Sequence, residues 1–132
     1  MPVYGLIGLT LKHSWSREYF TRKFAAGGIP ADYKLYELAH IGDLHALVSS
    51  EKQLCGLNVT IPYKQSVIPF LSGISPEAET IGAVNTIRIE RRGGNIGMTG
   101  FNTDAPAFSA ELGRLAFRDD RCALVLGSGG AA

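Results

Sequence analysis

Hydrophobic and polar positions fall into short blocks along the chain, and the period of the pattern switches repeatedly between strand-like and helix-like. Val3-Tyr4-Gly5-Leu6-Ile7-Gly8 is apolar without alternation, the pattern of a strand buried on both faces. Residues 16–26 place Tyr19, Phe20, Lys23 and Phe24 at one-turn spacing, which predicts a helix. Gly27-Gly28-Ile29-Pro30 stops it. A strand over 33–38 and a helix over 42–50 follow, the helix with Leu44, Leu47 and Val48 inward. Residues 54–60 predict a third strand, closed by Pro62, and a helix over 62–71 that Pro69 bends or shortens. Ser75 reads as an N-cap with Pro76 at the first helical position, opening a short helix to Ile81. Strands over 83–90 and 96–101 flank the hairpin turn Arg91-Arg92-Gly93-Gly94-Asn95. A helix over 103–116 and a strand over 121–127 complete the series.

Strands alternating with helices at this spacing predict an α/β fold: three α/β/α layers around a mixed, mostly parallel sheet, the hairpin supplying the antiparallel part. After the last predicted strand, Gly127-Ser128-Gly129-Gly130-Ala131-Ala132 fits G-x-G-x-x-A, a spacing that permits a tight turn and close approach of backbone amides to a pyrophosphate. The helix such a loop should open lies beyond the sequence. The expectation is therefore one domain over residues 1–116, and over 117–132 the first strand of a truncated Rossmann domain.

Composition narrows the partners. The 132 residues suit one domain, with 45% hydrophobic and 19% charged positions. A net charge of +1 supplies no one-signed field for a nucleic acid, and no apolar run approaches the ~20 residues that span a bilayer. No nucleic-acid or membrane partner is expected, and no metal site; oligomeric state is not readable. Cys55 and Cys122 each sit in an apolar run, and no leader peptide is expected ahead of them. They are expected to be buried free thiols in a reducing compartment. Glycine, 16 of 132, falls at segment ends, as in a chain whose short strands turn sharply into helices.

Four clusters sit at strand ends, where open α/β sheets place ligands. Ser14 and Ser16, in Lys12-His13-Ser14-Trp15-Ser16, either grip a carboxylate beside free helix amides or simply cap the helix. In Asn58-Val59-Thr60-Ile61-Pro62-Tyr63-Lys64, Asn58 and Thr60 share a strand face, and Lys64 follows in the first helical turn. The positive end of a helix dipole there would lower the pKa of an amine, which suits proton transfer; the plainer alternative is a solvated surface lysine. Asn85, in Gly82-Ala83-Val84-Asn85-Thr86, is a poor strand residue in an apolar strand and binds either a ligand or a turn. In Gly100-Phe101-Asn102-Thr103-Asp104, Thr103 can cap the helix, with Asp104 in the first turn as a site acid or a stabilising charge.

Taken in order, Ser14-x-Ser16, Asn58-Val59-Thr60-x-Pro62-x-Lys64, Gly82-Ala83-Val84-Asn85-Thr86, Gly100-x-Asn102-Thr103-Asp104 and Gly127-x-Gly129-Gly130-Ala131 resemble the shikimate dehydrogenase family over essentially the whole chain. Arg17 stands where the family usually has proline. The resemblance implies NADP-dependent, reversible reduction of 3-dehydroshikimate to shikimate, in the cytoplasmic route to chorismate and the aromatic amino acids. It implies a substrate-binding N-terminal domain and an NADP-binding Rossmann domain. By resemblance, Ser14 and Ser16 hold the substrate carboxylate, and Thr60, Asn85 and Asp104 bond the ring oxygens. Lys64 is the acid/base, paired with Asp104. Gly127, Ser128, Gly129, Gly130, Ala131 and Ala132 belong to the cofactor site. The sequence as it stands is expected to be inactive by itself. Two alternatives are a quinate/shikimate dehydrogenase using NAD or NADP, and a non-catalytic module binding a shikimate-like ligand.

Overall fold

The computed structural model describes residues 1–114, 122 and 124–132. Its sheet is built from β1 (Val3–Gly8), β2 (Asp32–Glu37), β3 (Leu54–Val59), β4 (Gly73–Ile74), β5 (Thr86–Arg92) and β6 (Asn95–Phe101). The strand order is β2-β1-β3-β5-β6-β4. β1 runs parallel to β2 and β3, β4 runs parallel to β6, and β5 is antiparallel to both its neighbours. The sheet is mixed, as the hairpin predicted.

Helices cover the two faces. On one, α1 (Ser16–Ala26) lays Phe20 and Phe24 over Leu6 and Tyr33; Phe20 stacks on the Tyr33 ring with centroids 4.6 Å apart. On the other, α2 (Leu44–Ser50), α3 (Tyr63–Ser66) and α4 (Pro76–Ile81) bury Leu44, Val48, Tyr63 and Ala78 against Ile7, Leu57, Val59, Ile87 and Met98. The two faces follow from the pleat: Ile7, Leu57 and Ile87 point to one side, and Leu6, Asn58 and Thr86 to the other. α5 (Asp104–Arg114) leaves the sheet after β6 and buries no residue.

Five expectations are corrected. The helix over 62–71 splits into α3 and a 3₁₀ turn, Ile68–Phe70, because Pro69 lacks the N–H a continuous helix needs. The first turn of the 42–50 helix is 3₁₀, Ile41–Asp43. The strand over 83–90 begins only at Thr86, since the amides of Val84 and Asn85 bond to Lys64 O (2.7 Å) and Phe101 O (3.0 Å) across a bend. The strand over 121–127 is absent where the chain is described: Leu124, Val125 and Leu126 are 83%, 67% and 87% exposed. A strand needs a neighbour for its N–H and C=O groups, and no strand of the described sheet flanks these residues. For the same reason Cys122 is exposed rather than buried, while Cys55 on β3 is half-buried; both are free thiols. Residues 115–121 and 123 lie outside the described residues, and with them the expected boundary between 116 and 117 and the last two residues of the 103–116 helix.

Candidate functional site

The site assembles where β1, β3 and the β5–β6 hairpin end. The hairpin does the closest work. Its turn residues Gly93 and Gly94 take φ of 56° and 86°, the double left-handed geometry of a tight hairpin turn. Its register pairs Thr86 with Phe101, so the chain entering β5 and the chain leaving β6 lie side by side. Asn85, buried, therefore meets Thr103 and Asp104. Its Nδ2 donates to Asp104 Oδ1 at 2.7 Å and Thr103 Oγ1 at 2.8 Å. Its Oδ1 accepts from the Thr103 N–H (2.9 Å) and from the Thr86 and Thr103 hydroxyls (3.1 and 3.2 Å). A buried carboxamide with both ends bonded holds one orientation.

Lys64 comes from a different element. β3 ends at Val59, the chain turns through Thr60 and the cis Ile61–Pro62 peptide, and α3 begins. Two backbone bonds tie this corner to the hairpin: Val59 N–H to Asn85 O (2.8 Å) and Val84 N–H to Lys64 O (2.7 Å). The Lys64 Nζ then reaches Asp104 Oδ2 at 2.5 Å, across 40 positions of sequence. The lysine side chain is 16% exposed and the aspartate 49%, so the pair faces solvent through its acid. α3 has only four residues, and the charge in contact with this amine is the Asp104 carboxylate.

Ser14, Ser16 and Thr60 line a separate cleft of about 680 Å³ at the C-terminal end of β1. Trp15, at the N-cap position of α1, makes no side-chain capping bond; the Ser14 hydroxyl instead accepts the N–H of Ser16, the first residue of the helix, at 3.3 Å. The Ser16 hydroxyl lies beside that of Tyr33. Burial pushes the Tyr33 phenol far up, and the Ser16 contact opposes this only in part. Ile61 and Pro62 form a wall of this cleft and also of a smaller one, about 290 Å³, that holds Lys64, Gly129, Gly130 and Ala131. Gly127, Ser128 and Ala132 lie outside the walls of both. A third groove, about 520 Å³ between α1 and the sheet, is walled in part by the rings of Tyr4, Phe20, Phe24, Tyr33 and Phe101 and contains no acid–amine pair.

The structure thus joins Lys64, Asn85 and Asp104 by direct bonds and gathers Ser14, Ser16 and Thr60 in the adjoining cleft. Sequence reasoning missed three contributors. Asn102, not Thr103, caps α5: its Oδ1 accepts the Ala105 N–H (3.0 Å) while Nδ2 donates to Ala83 O (3.0 Å). Thr103 instead bonds Asn85. Asn58 accepts from the Tyr33 hydroxyl (2.7 Å) and donates to Thr86 Oγ1 (3.4 Å), continuing the polar chain under α1. The signal for these was the density of amide and hydroxyl residues at the ends of otherwise apolar strands.

An ammonium held against a half-exposed carboxylate, next to fixed amide and hydroxyl groups, can bind a small polyhydroxylated acid and exchange a proton with one of its oxygens. The comparisons with known proteins agree in kind. A family model described as "Shikimate dehydrogenase substrate binding domain" matches residues 6–87. A Clostridium beijerinckii protein named "Shikimate dehydrogenase (NADP(+))" is 43% identical over 136 aligned positions, covering 100% of this chain and 48% of its own length. Shikimate dehydrogenase 1 from Peptoclostridium difficile superposes with a TM-score of 0.86 at 35% identity, covering 99% of this chain and 48% of that one. The Thermus thermophilus shikimate 5-dehydrogenase, solved in complex with shikimate, superposes at 0.81 with 32% identity, covering 99% and 49%. The chain spans about half the length of these relatives. Among the described residues, no helix is long and apolar enough to cross a membrane.

Proposed function

Because the chain belongs to the shikimate dehydrogenase family through its substrate-binding domain, we propose that it forms the substrate half of an NADP-dependent enzyme that interconverts 3-dehydroshikimate and shikimate in the cytoplasm. Residues 1–116 act as the substrate domain, and 117–132 open the dinucleotide-binding one. The observation that carries the reading is the Lys64–Asp104 pair, 2.5 Å apart and hydrogen-bonded through Asp104 to a buried asparagine. A module that only bound its ligand would not need an acid–amine couple, which argues against the non-catalytic alternative.

In this reading Ser14 and Ser16 hold the carboxylate of the substrate, Thr60 and Asp104 bond its ring oxygens, and Asn85 joins them by exchanging one of its Nδ2 bonds to Thr103 or Asp104 for a ring oxygen. In the direction of reduction, Lys64 gives its proton to the carbonyl oxygen as that oxygen becomes an alkoxide. Asp104 keeps the amine in place and, being half exposed, connects it to solvent for reprotonation. In the reverse direction the neutral amine takes the hydroxyl proton. The segment 127–132 fits a dinucleotide phosphate in two respects: Gly127 turns through a φ of 114°, and nothing lies within 4 Å of the side-chain position of Gly129, leaving the backbone open to a ligand. The bound dinucleotide would supply the hydride.

The test is steady-state kinetics of the full-length enzyme with shikimate and quinate, each with NADP and NAD. Lys64→Ala is expected to lower kcat by about 10²–10⁴-fold, the usual contribution of a positioned acid/base, with a melting temperature close to that of the parent. Near-normal turnover in that variant would remove the basis of the proposal.

A further inference from the structure

The general spacing G-x-G-x-x-A asks for small residues at Gly127, Gly129 and Ala132 and does not by itself account for Gly130, which the family pattern also contains. The backbone does not require glycine there either, since Gly127 is the residue of this segment with a left-handed φ. What excludes a side chain at Gly130 is Lys64. A methyl group on Gly130 would lie 2.5 Å from Lys64 Cβ, 3.4 Å from Lys64 Cδ and 3.5 Å from Ala83 Cβ. Carbon atoms in contact stand about 3.5–4.0 Å apart, so the first approach is prohibitive. Cβ is the root of the lysine side chain, and it has little freedom to step aside: the Lys64 carbonyl is bonded to Val84 N–H at 2.7 Å and its amine to Asp104 at 2.5 Å. At Gly129, one residue earlier, the same methyl would meet nothing within 4 Å.

We propose that Gly130 is a positioning residue for Lys64: the bare backbone of the loop forms the wall along which the lysine stem runs from α3 to Asp104. This rests on the reading of Lys64 as a substrate-contacting proton donor, and it adds that the loop sets the lysine before any dinucleotide arrives. A side chain at Gly130 moves the stem, and the amine at its tip moves with it, away from the ring oxygens it serves.

Calorimetric titration of shikimate, with no dinucleotide present, into the unmutated protein, Gly130→Ala and Gly42→Ala tests this. Gly42, like Gly129, has nothing within 4 Å of its side-chain position, and it lies outside the site. Gly130→Ala is expected to bind shikimate about tenfold more weakly, and Gly42→Ala within about twofold of the parent, since losing one charged hydrogen bond is worth at least that much. Equal affinity in all three proteins overturns the proposal, and so does equal weakening in both variants, which would mark a general effect of adding a methyl group. Absence of binding by the unmutated protein is a different result: it overturns the functional reading itself, and this proposal with it. A double-mutant cycle reads the contact directly. Lys64→Gly deletes the atom the new methyl meets, so any melting-temperature loss from Gly130→Ala is expected to vanish in that background. A loss that persists there overturns the proposal.

Discussion

The Asn85 carboxamide accepts three hydrogen bonds and donates two, so truncating it strips partners from Thr86, Thr103 and Asp104 together. Asn85→Ala is expected to cost about 1–3 kcal/mol of stability, seen as a lower urea midpoint at unchanged slope. It should also reduce kcat/KM for shikimate by at least about tenfold, because Asp104 loses the donor that aims it at Lys64. At this scale the sequence was informative about residue types and weak on partners. Lys64 and Asp104 stood out only through the family motifs that contain them, since a surface lysine and a first-turn aspartate each have a plain structural use. Thr103 was given the capping role that Asn102 fills, since both are good cap residues and local spacing does not say which of them the buried Asn85 claims.

Elements whose ends are marked by local chemistry were the readable ones. α4 is an example: the Ser75 hydroxyl accepts the Ala78 N–H at 3.2 Å, Pro76 begins the helix, and Gly82 ends it at a φ of 74°. Ser75→Ala is expected to destabilise the fold by about 1 kcal/mol, measured by thermal or urea unfolding, and to leave shikimate kinetics unchanged, because α4 contributes no side chain to the site. Elements decided by long-range partners were not readable. β4 has only two residues and exists because β6 offers them a ladder. Residues 83–85 are apolar enough for a strand, but the carbonyls of Lys64 and Phe101 claim the amides of Val84 and Asn85. The apolar run 124–126 has strand composition and no strand beside it.

For the molecule as a whole, the titrating groups with displaced pKa values predict the shape of stability against pH. Burial raises both Tyr33 and Tyr36, with the Glu51 carboxylate adding to the rise at Tyr36. Both phenols therefore keep their protons in the folded protein at a pH where the unfolded chain has lost them. Their contribution is complete below the unfolded tyrosine value of about 10 and is lost as pH rises past it. Glu51 has the opposite sign. Hydrogen bonds from Lys34 (3.0 Å) and Tyr36 (2.9 Å) lower its pKa, so its contribution holds above the ordinary carboxylate range and fades as pH falls through it. Urea midpoints are expected to fall above about pH 10, and Tyr33→Phe, which keeps the ring stacked on Phe20, should flatten that alkaline limb. An unchanged limb in that variant would assign the alkaline loss elsewhere.

The β5–β6 hairpin carries one more consequence. Asn85 and Asp104 sit at its open end and Gly93–Gly94 at its closed end, seven paired rungs away. The closed end is exposed and touches nothing of the site. It is therefore the natural place to splice in a reporter peptide or an affinity handle, because extra length there leaves the rungs in step. A single residue added inside either strand would instead turn every later side chain to the opposite face and carry Asp104 away from its amine.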